Sequence, residues 1–346
     1  MRKKTDDCKP MRSQSALHFQ TAISHTAAMP HWMIKAALQR GISFLPSSHK
    51  WNELFQKHVT KSIVLTHDRF EERAKFCARH LQNYSSLRPQ AGEAFTAMEV
   101  GTGWYPTVPV GLFLCGASKV WTYDIAPMLA SDRVHRLLRK YADLIESGSL
   151  QKILPQALPA RMEQLSRLVE DSRNESPYTF LEKLNIHARV QDAQQTGLES
   201  GTVDLFVSTG VLEYIPRPVL VNILGEFQRV ATPGGVMSHY LNLIDQYWYF
   251  DKSITPFNFL KYTAARWEYF NSPITWQNRL RISDYRELIT SAGFKIEMEA
   301  SESGQASDLD KIQLAPEFQK YSQADLLVII SWLAARSIAD KSAARP

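Results

Sequence analysis

Residues 98–106 read MEVGTGWYP, with Glu99 two positions ahead of Gly101 and with Gly103 close behind. Glycines that follow a strand let backbone approach a ligand closely, and the N–H groups of the next helix favour acceptor atoms. A dinucleotide fingerprint needs a third glycine, G-x-G-x-x-G, for close helix–strand packing beside the pyrophosphate. Here Trp104, Tyr105 and Pro106 come next instead. A carboxylate at Glu99 would repel a pyrophosphate and suit an ammonium. Asp124 closes the run KVWTYDI, where an acidic group can accept both hydroxyls of a ribose. The alternative there is simple loop solvation. Asp192, in RVQDAQQ, could accept from the exocyclic amine of an adenine or be an exposed loop aspartate.

These groups act together only if several strand ends meet at one edge. The chain from about residue 91 alternates strand-like and helical runs. AFTAMEV, KVWTYDI, IHARVQDA, TVDLFVSTG and VMSHYLNL read as strands. TVPVGLFLCGA, SDRVHRLLRKYADLI, PRPVLVNILGEFQRVA and SDYRELITSAGF read as helices between them. That order implies right-handed crossovers and a doubly wound, mostly parallel α/β sheet. Two final strand signals, KIEMEAS and DLLVIISWLAA, predict an antiparallel pair.

Ahead of this region, residues 28–90 read as a helical N-terminal extension, with Thr66 as a cap and Phe70, Ala74, Phe76, Cys77 and Leu81 on one face. It could be a packed layer or a cap closing a substrate site, with Trp32, Met33 and Phe44 available to a membrane surface. Residues 1–27 and 336–346 are expected as disordered tails. A net charge of +5 is spread along the chain, with no basic and aromatic stripe for nucleic acid. Three separated cysteines exclude a disulfide framework and a zinc spacing, so no metal is expected. No run is long enough for a membrane span. A cytoplasmic location is expected.

An ammonium, a ribose and an adenine without phosphate describe S-adenosylmethionine. At this point residues 91–335 resemble the class I S-adenosylmethionine-dependent methyltransferases. The likeness rests on MEVGTGWYP, TYDI, VQDA, VDLFVSTGVLEYIP, RVATPGG and the final pair FKIEMEA and DLLVIIS. It looks like an uncharacterised bacterial branch with a helical extension. The resemblance implies a Rossmann-like seven-stranded sheet with its last strand inserted antiparallel. It also implies that Glu99, Gly101, Thr102 and Gly103 line the methionine end of the cofactor. Asp124 and Ile125 would hold the ribose and one adenine face, and Asp192 with Ala193 the adenine edge. Ser208 and Thr209 would end the strand where the sulfonium sits.

On the acceptor side, Glu213 could take a proton or orient the acceptor, or only brace the helix that follows. Tyr214 stands where many relatives carry histidine, which removes His-based chemistry there. His239 has a side chain suited to base work at neutral pH, or a structural role. Residues 244–282 form an insert far longer than an ordinary strand–helix connection. Its aromatic density, Tyr247 and Trp248 included, reads as a lid over an apolar acceptor or as an accessory core. Arg279, with Arg266 and Arg281, could anchor a carboxylate or phosphate. The expected activity is methyl transfer to a small organic molecule, with O-methylation first. An NAD-dependent oxidoreductase and a non-catalytic cofactor-binding scaffold are the alternatives. The sequence assigns no oligomeric state.

Overall fold

A computed structural model describes residues 32–44, 64–89, 94–273 and 276–338. The expected tail at 1–27 lies outside them. Seven strands form one sheet: β1 Phe95–Val100, β2 Ala117–Asp124, β3 Ile186–Val190, β4 Val203–Thr209, β5 Ala231–Asn242, β6 Phe294–Ser303 and β7 Val328–Ser337. Their order is β3-β2-β1-β4-β5-β7-β6. The first five pair in parallel, while β7 runs antiparallel between β5 and β6. The doubly wound sheet with an inverted last strand is therefore as expected. One boundary moves: β7 continues through Ser337, past residue 335.

Because the order reverses between β1 and β4, the carboxyl ends of these neighbours leave a crevice, the usual ligand position in such sheets. Helices cover both faces: α1 Trp32–Ser43, α2 His67–Leu87, α3 Thr107–Leu114, α4 Ser131–Glu146, α5 Arg217–Val230, α6 Ala264–Phe270 and α7 Ile282–Ser291. All eight residues of α3 are buried, which its unbroken apolar run requires. It approaches α2 so closely that a Cβ on Gly111 would lie 2.7 Å from Cys77 Sγ.

Thr66 caps α2, accepting from the Arg69 N–H. The helix buries Phe70, Ala74, Cys77 and Leu81 as the periodicity requires. Its neighbouring stripe is polar and meets the sheet. His80 Nδ1 lies 2.9 Å from Ser238 Oγ, and Asn83 donates to the same hydroxyl at 2.9 Å. Phe76 does not join the apolar stripe; it stacks on Tyr240 of β5 with centroids 4.7 Å apart. Arg88 pins the far end by an ion pair of 2.8 Å to Asp204. Thus α2 is a fixed layer over β4 and β5.

The insert at 244–282 builds a core of its own. Tyr247, Phe257, Phe259 and Trp267 pack with Trp32 of α1 and with Leu309 and Phe318. Trp32 is 1% exposed, so it is not available to a membrane surface. Met33 and Phe44 do remain exposed. No helix among the described residues is long and apolar enough to cross a membrane.

Candidate functional site

The glycine loop leaves β1 with Gly101 at φ +90° and Gly103 at φ +61°. The first position is crowded as well as left-handed: a Cβ there would meet Val211 Cγ2 at 2.4 Å. Two carboxyl groups brace the loop. Asp124 accepts from the Gly103 N–H at 2.9 Å and, through its other oxygen, from the Ala126 N–H at 3.1 Å. A carboxylate has about four acceptor sites, so room is left for ligand hydroxyls. Desolvation pushes the Asp124 pKa up, while these N–H groups pull it back. Beside it Ile125 is 82% exposed, an apolar side chain left open at the strand end.

Glu99 turns under the loop. It accepts from Thr122 Oγ1 at 2.7 Å, and Thr122 in turn meets Thr102 Oγ1 at 2.6 Å. Burial pushes its pKa up to about 8, against the Thr122 hydrogen bond and the charge of Arg73. An open cleft lies against the loop, lined by Thr102, Gly103, Asp124, Met128, Tyr178 and Arg189. Tyr105, between Gly103 and α3, is buried in the core. Asp192 and Ala193 follow β3; Ala193 is buried, and Asp192 is exposed and accepts from the Gln194 backbone at 2.9 Å.

The ends of β4 and β5 divide by pleat. Ser208 and His239 face α5: Ser208 Oγ lies 2.8 Å from His239 Nδ1, and both residues are fully buried. Burial lowers the His239 pKa to about 4, and its ring stacks with Phe227. It is a core histidine, removed from the cleft by strand alternation, and Ser208 is its partner. Thr209 faces α2 instead, 3.1 Å from His80 Nε2.

After β4 the chain makes a tight turn through Leu212–Tyr214 that places Glu213 inside. Glu213 is 1% exposed. One carboxyl oxygen accepts from the Asn242 N–H at 3.3 Å, and Oε2 has no partner. Desolvation raises its pKa to about 8. Tyr214, 42% exposed, stays protonated through burial of its phenol and the nearby charges of Glu213 and Tyr249.

Two expected substrate contacts are structural. Tyr247 is fully buried and donates to the Phe270 carbonyl at 2.6 Å. Arg279 spends its guanidinium on the carbonyls of Phe259 and Tyr262 and an ion pair of 2.9 Å with Glu317. It ties the insert to the next connection and is no free anchor. The buried Arg281 does the same with the Leu243, Leu326 and Val328 carbonyls. Trp248 stays half-buried, with Lys252 Nζ 3.1 Å above its ring.

Sequence reading took Tyr249 only as one aromatic of the insert, and passed over Glu72, Arg73 and Tyr240. The charges of Glu72 and Glu213 are felt by the hydroxyls of both Tyr240 and Tyr249. Arg73 acts on Glu72 and Glu99 together. Helical spacing sets Glu72, Phe76 and His80 on one stripe of α2, and that stripe was the available signal.

Residues 161–238 match the family model of a methyltransferase domain. That stretch holds β3, β4, the Glu213 turn, α5 and part of β5, and leaves out the glycine loop. No curated protein matches. Among solved structures, the geranyl diphosphate C-methyltransferase of Streptomyces coelicolor A3(2) aligns with TM-score 0.42 and 13% identity, over 77% of this chain and 78% of that one. A SAM-dependent methyltransferase from Methanosarcina mazei aligns with TM-score 0.41 and 13% identity, over 73% of this chain and 96% of that one. The domain match and the mostly parallel seven-stranded sheet with its inverted last strand are consistent with a Rossmann-like methyltransferase fold.

Proposed function

We propose that the protein transfers a methyl group from S-adenosylmethionine to a small organic acceptor. The observation that carries this reading is the braced loop: Gly103 N–H on Asp124, and Thr102 over Thr122 and Glu99. It presents carboxyl groups at the strand ends, and the third glycine of a dinucleotide loop is missing. The exposed Ile125 and the cleft against Asp124 lie where the adenosine would bind.

S-adenosylmethionine, when bound, supplies a carbon already activated by positive sulfur. The chain's own residues then have to bind, align and dehydrate. Asp124 would hold the ribose hydroxyls, Ile125 an adenine face and Asp192 the adenine edge. Glu99 would keep the loop shaped for the methionine end through Thr122. Val211 presses on Gly101, so the turn that carries Glu213 abuts the glycine loop. Glu213 would therefore meet the acceptor and take its proton, in a surrounding that excludes water. His239 has no part in this, being buried on the other face, and the expectation of an oxygen acceptor gains nothing from it.

Thermal melts with S-adenosylhomocysteine and with NAD test the proposal. A rise in Tm with the first alone is expected. A rise with NAD alone would return the dinucleotide reading. Stabilisation without turnover on any acceptor would leave a binding scaffold.

A further inference from the structure

The acceptor side holds a buried carboxyl that nothing pairs. Glu213 is buried to 1% exposure, its Oε2 has no hydrogen-bond partner, and no lysine or arginine among the described residues pairs with it. A buried carboxyl in that condition is unfavourable unless a ligand completes it. Its surroundings are aromatic. The β5 residues that face α2 are Ser238, Tyr240 and Asn242. Tyr240 packs between Phe76, at 4.7 Å, and Trp332, at 5.2 Å. Asn242 gives its backbone N–H to Glu213 and its amide to the Tyr249 hydroxyl at 2.8 Å. Trp248 stands edge-on to Tyr249. A second carboxyl, Glu72, lies one helical turn before Phe76, and both Tyr240 and Tyr249 sense it. Two cations lie near: Arg73 acts on Glu72 and Glu99, and Lys252 Nζ sits 3.1 Å from the Trp248 centroid and 5.4 Å from that of Tyr249.

We infer that the acceptor bears a basic nitrogen, whose ammonium form is held by Glu213 and by the ring of Tyr249. The inference rests on the methyl-transfer reading and names its substrate class. A cation over aromatic faces is attracted by the ring quadrupole, more so when desolvated. The same cation supplies the counter-charge that Glu213 lacks. An acceptor carboxylate or phosphate would instead meet Glu213, Glu72 and Glu99 together. In the reaction the ammonium N–H bond breaks and an O–H bond forms on Glu213. The nitrogen's recovered lone pair then forms the N–C bond as the C–S bond breaks, the sulfur keeping the C–S electron pair. S-adenosylhomocysteine thus leaves neutral, and the methylated nitrogen carries the positive charge. An alcohol is much less acidic than an ammonium and would ask far more of a carboxylate base.

Benzylamine, a cation at pH 7, and benzyl alcohol, its neutral counterpart of similar shape, separate the cases. Each is titrated calorimetrically into the full chain with saturating S-adenosylhomocysteine. Benzylamine should bind at least tenfold more tightly, and Glu213→Gln should remove that preference while its melting curve stays cooperative. Equal behaviour of the two probes, whether both bind or neither does, overturns the inference. So does a preference that survives in Glu213→Gln. Failure of S-adenosylhomocysteine itself to bind would count against the methyl-transfer reading instead, and is seen before either probe is added.

Discussion

The cofactor edge and the aromatic insert make an instructive pair. Both stood out in the sequence, one for its acids and glycines, the other for its aromatic density. At the edge, the groups that drew attention line one cleft: Gly103, Thr102 and Asp124 touch it, and Glu99 supports them. In the insert the same kind of attention led inward. Tyr247 and Trp267 are buried with Trp32 in a third core, and Arg279 is spent on carbonyls and Glu317. A carboxyl at a strand end has little reason to be there except for a ligand or the loop itself. An aromatic ring has a standing alternative in packing, worth about 1.5–3 kcal/mol for a buried side chain. Density of aromatics therefore says less about function than a few acids do.

Substitutions in the two regions should separate accordingly. The largest loss is expected from Tyr247→Ala, which opens the insert core and leaves the Phe270 carbonyl without its donor. Denaturant melts should show about 3–5 kcal/mol of destabilisation, with S-adenosylhomocysteine affinity, at a temperature where the variant is folded, within about threefold. A large affinity loss in folded protein would make the insert part of the cofactor site and erase the contrast.

Gly101→Val should act in the opposite sense. It forces a β-branched side chain into left-handed backbone and onto Val211. Calorimetry should find affinity reduced at least a hundredfold, or about 2.7 kcal/mol. The crowding predicts a lower Tm as well, so a preserved fold is not expected. Normal binding would reduce the loop to an ordinary turn.

The pH dependence of stability sharpens the reading of Glu213. Its pKa is raised from 4.5 to about 8 in the folded chain. Between those values the unfolded chain has released a proton that the folded one keeps, so stability falls as pH rises. Glu213→Gln should therefore gain on the wild type from pH 5 to pH 8, by up to about 1.4 kcal/mol per unit. The gain should vanish below pH 4.5. Parallel curves would show a carboxylate already ionised beside a counter-charge.

The smallest change in stability should come from Trp248→Ala, at the half-buried rim of the insert. Melts should move by no more than about 1 kcal/mol, with cofactor affinity held within about threefold. Methyl-transfer efficiency should fall about a hundredfold, through misplaced acceptor. A joint collapse of affinity and Tm would put Trp248 with Tyr247 in the packing core.

What the sequence made legible was local. The strand-end positions of Glu99, Asp124 and Asp192 follow from alternating elements, and the inverted β7 from two adjacent strand signals. The face of a residue at the sheet's far edge was not legible in the same way. His239 looked like a base, but the pleat turns it with Ser208 toward Phe227, and Tyr240 next to it faces α2. Nor could spacing say that Glu72, Phe76 and His80 of α2 meet β5. A polar stripe on a helix usually faces water, and only the packing of α2 over the sheet turns this one inward.

The central claim is that the carboxyl-braced glycine loop holds an adenosine-bearing cofactor through Asp124. Titration of S-adenosylhomocysteine into the wild type and Asp124→Ala tests it most directly, because the variant loses both the ribose acceptor and the brace on Gly103. Charge-assisted hydrogen bonds are worth about 1.5–3 kcal/mol each, so the account predicts binding to the wild type and at least a tenfold weaker complex with the folded variant. Equal affinity for the two proteins would contradict it.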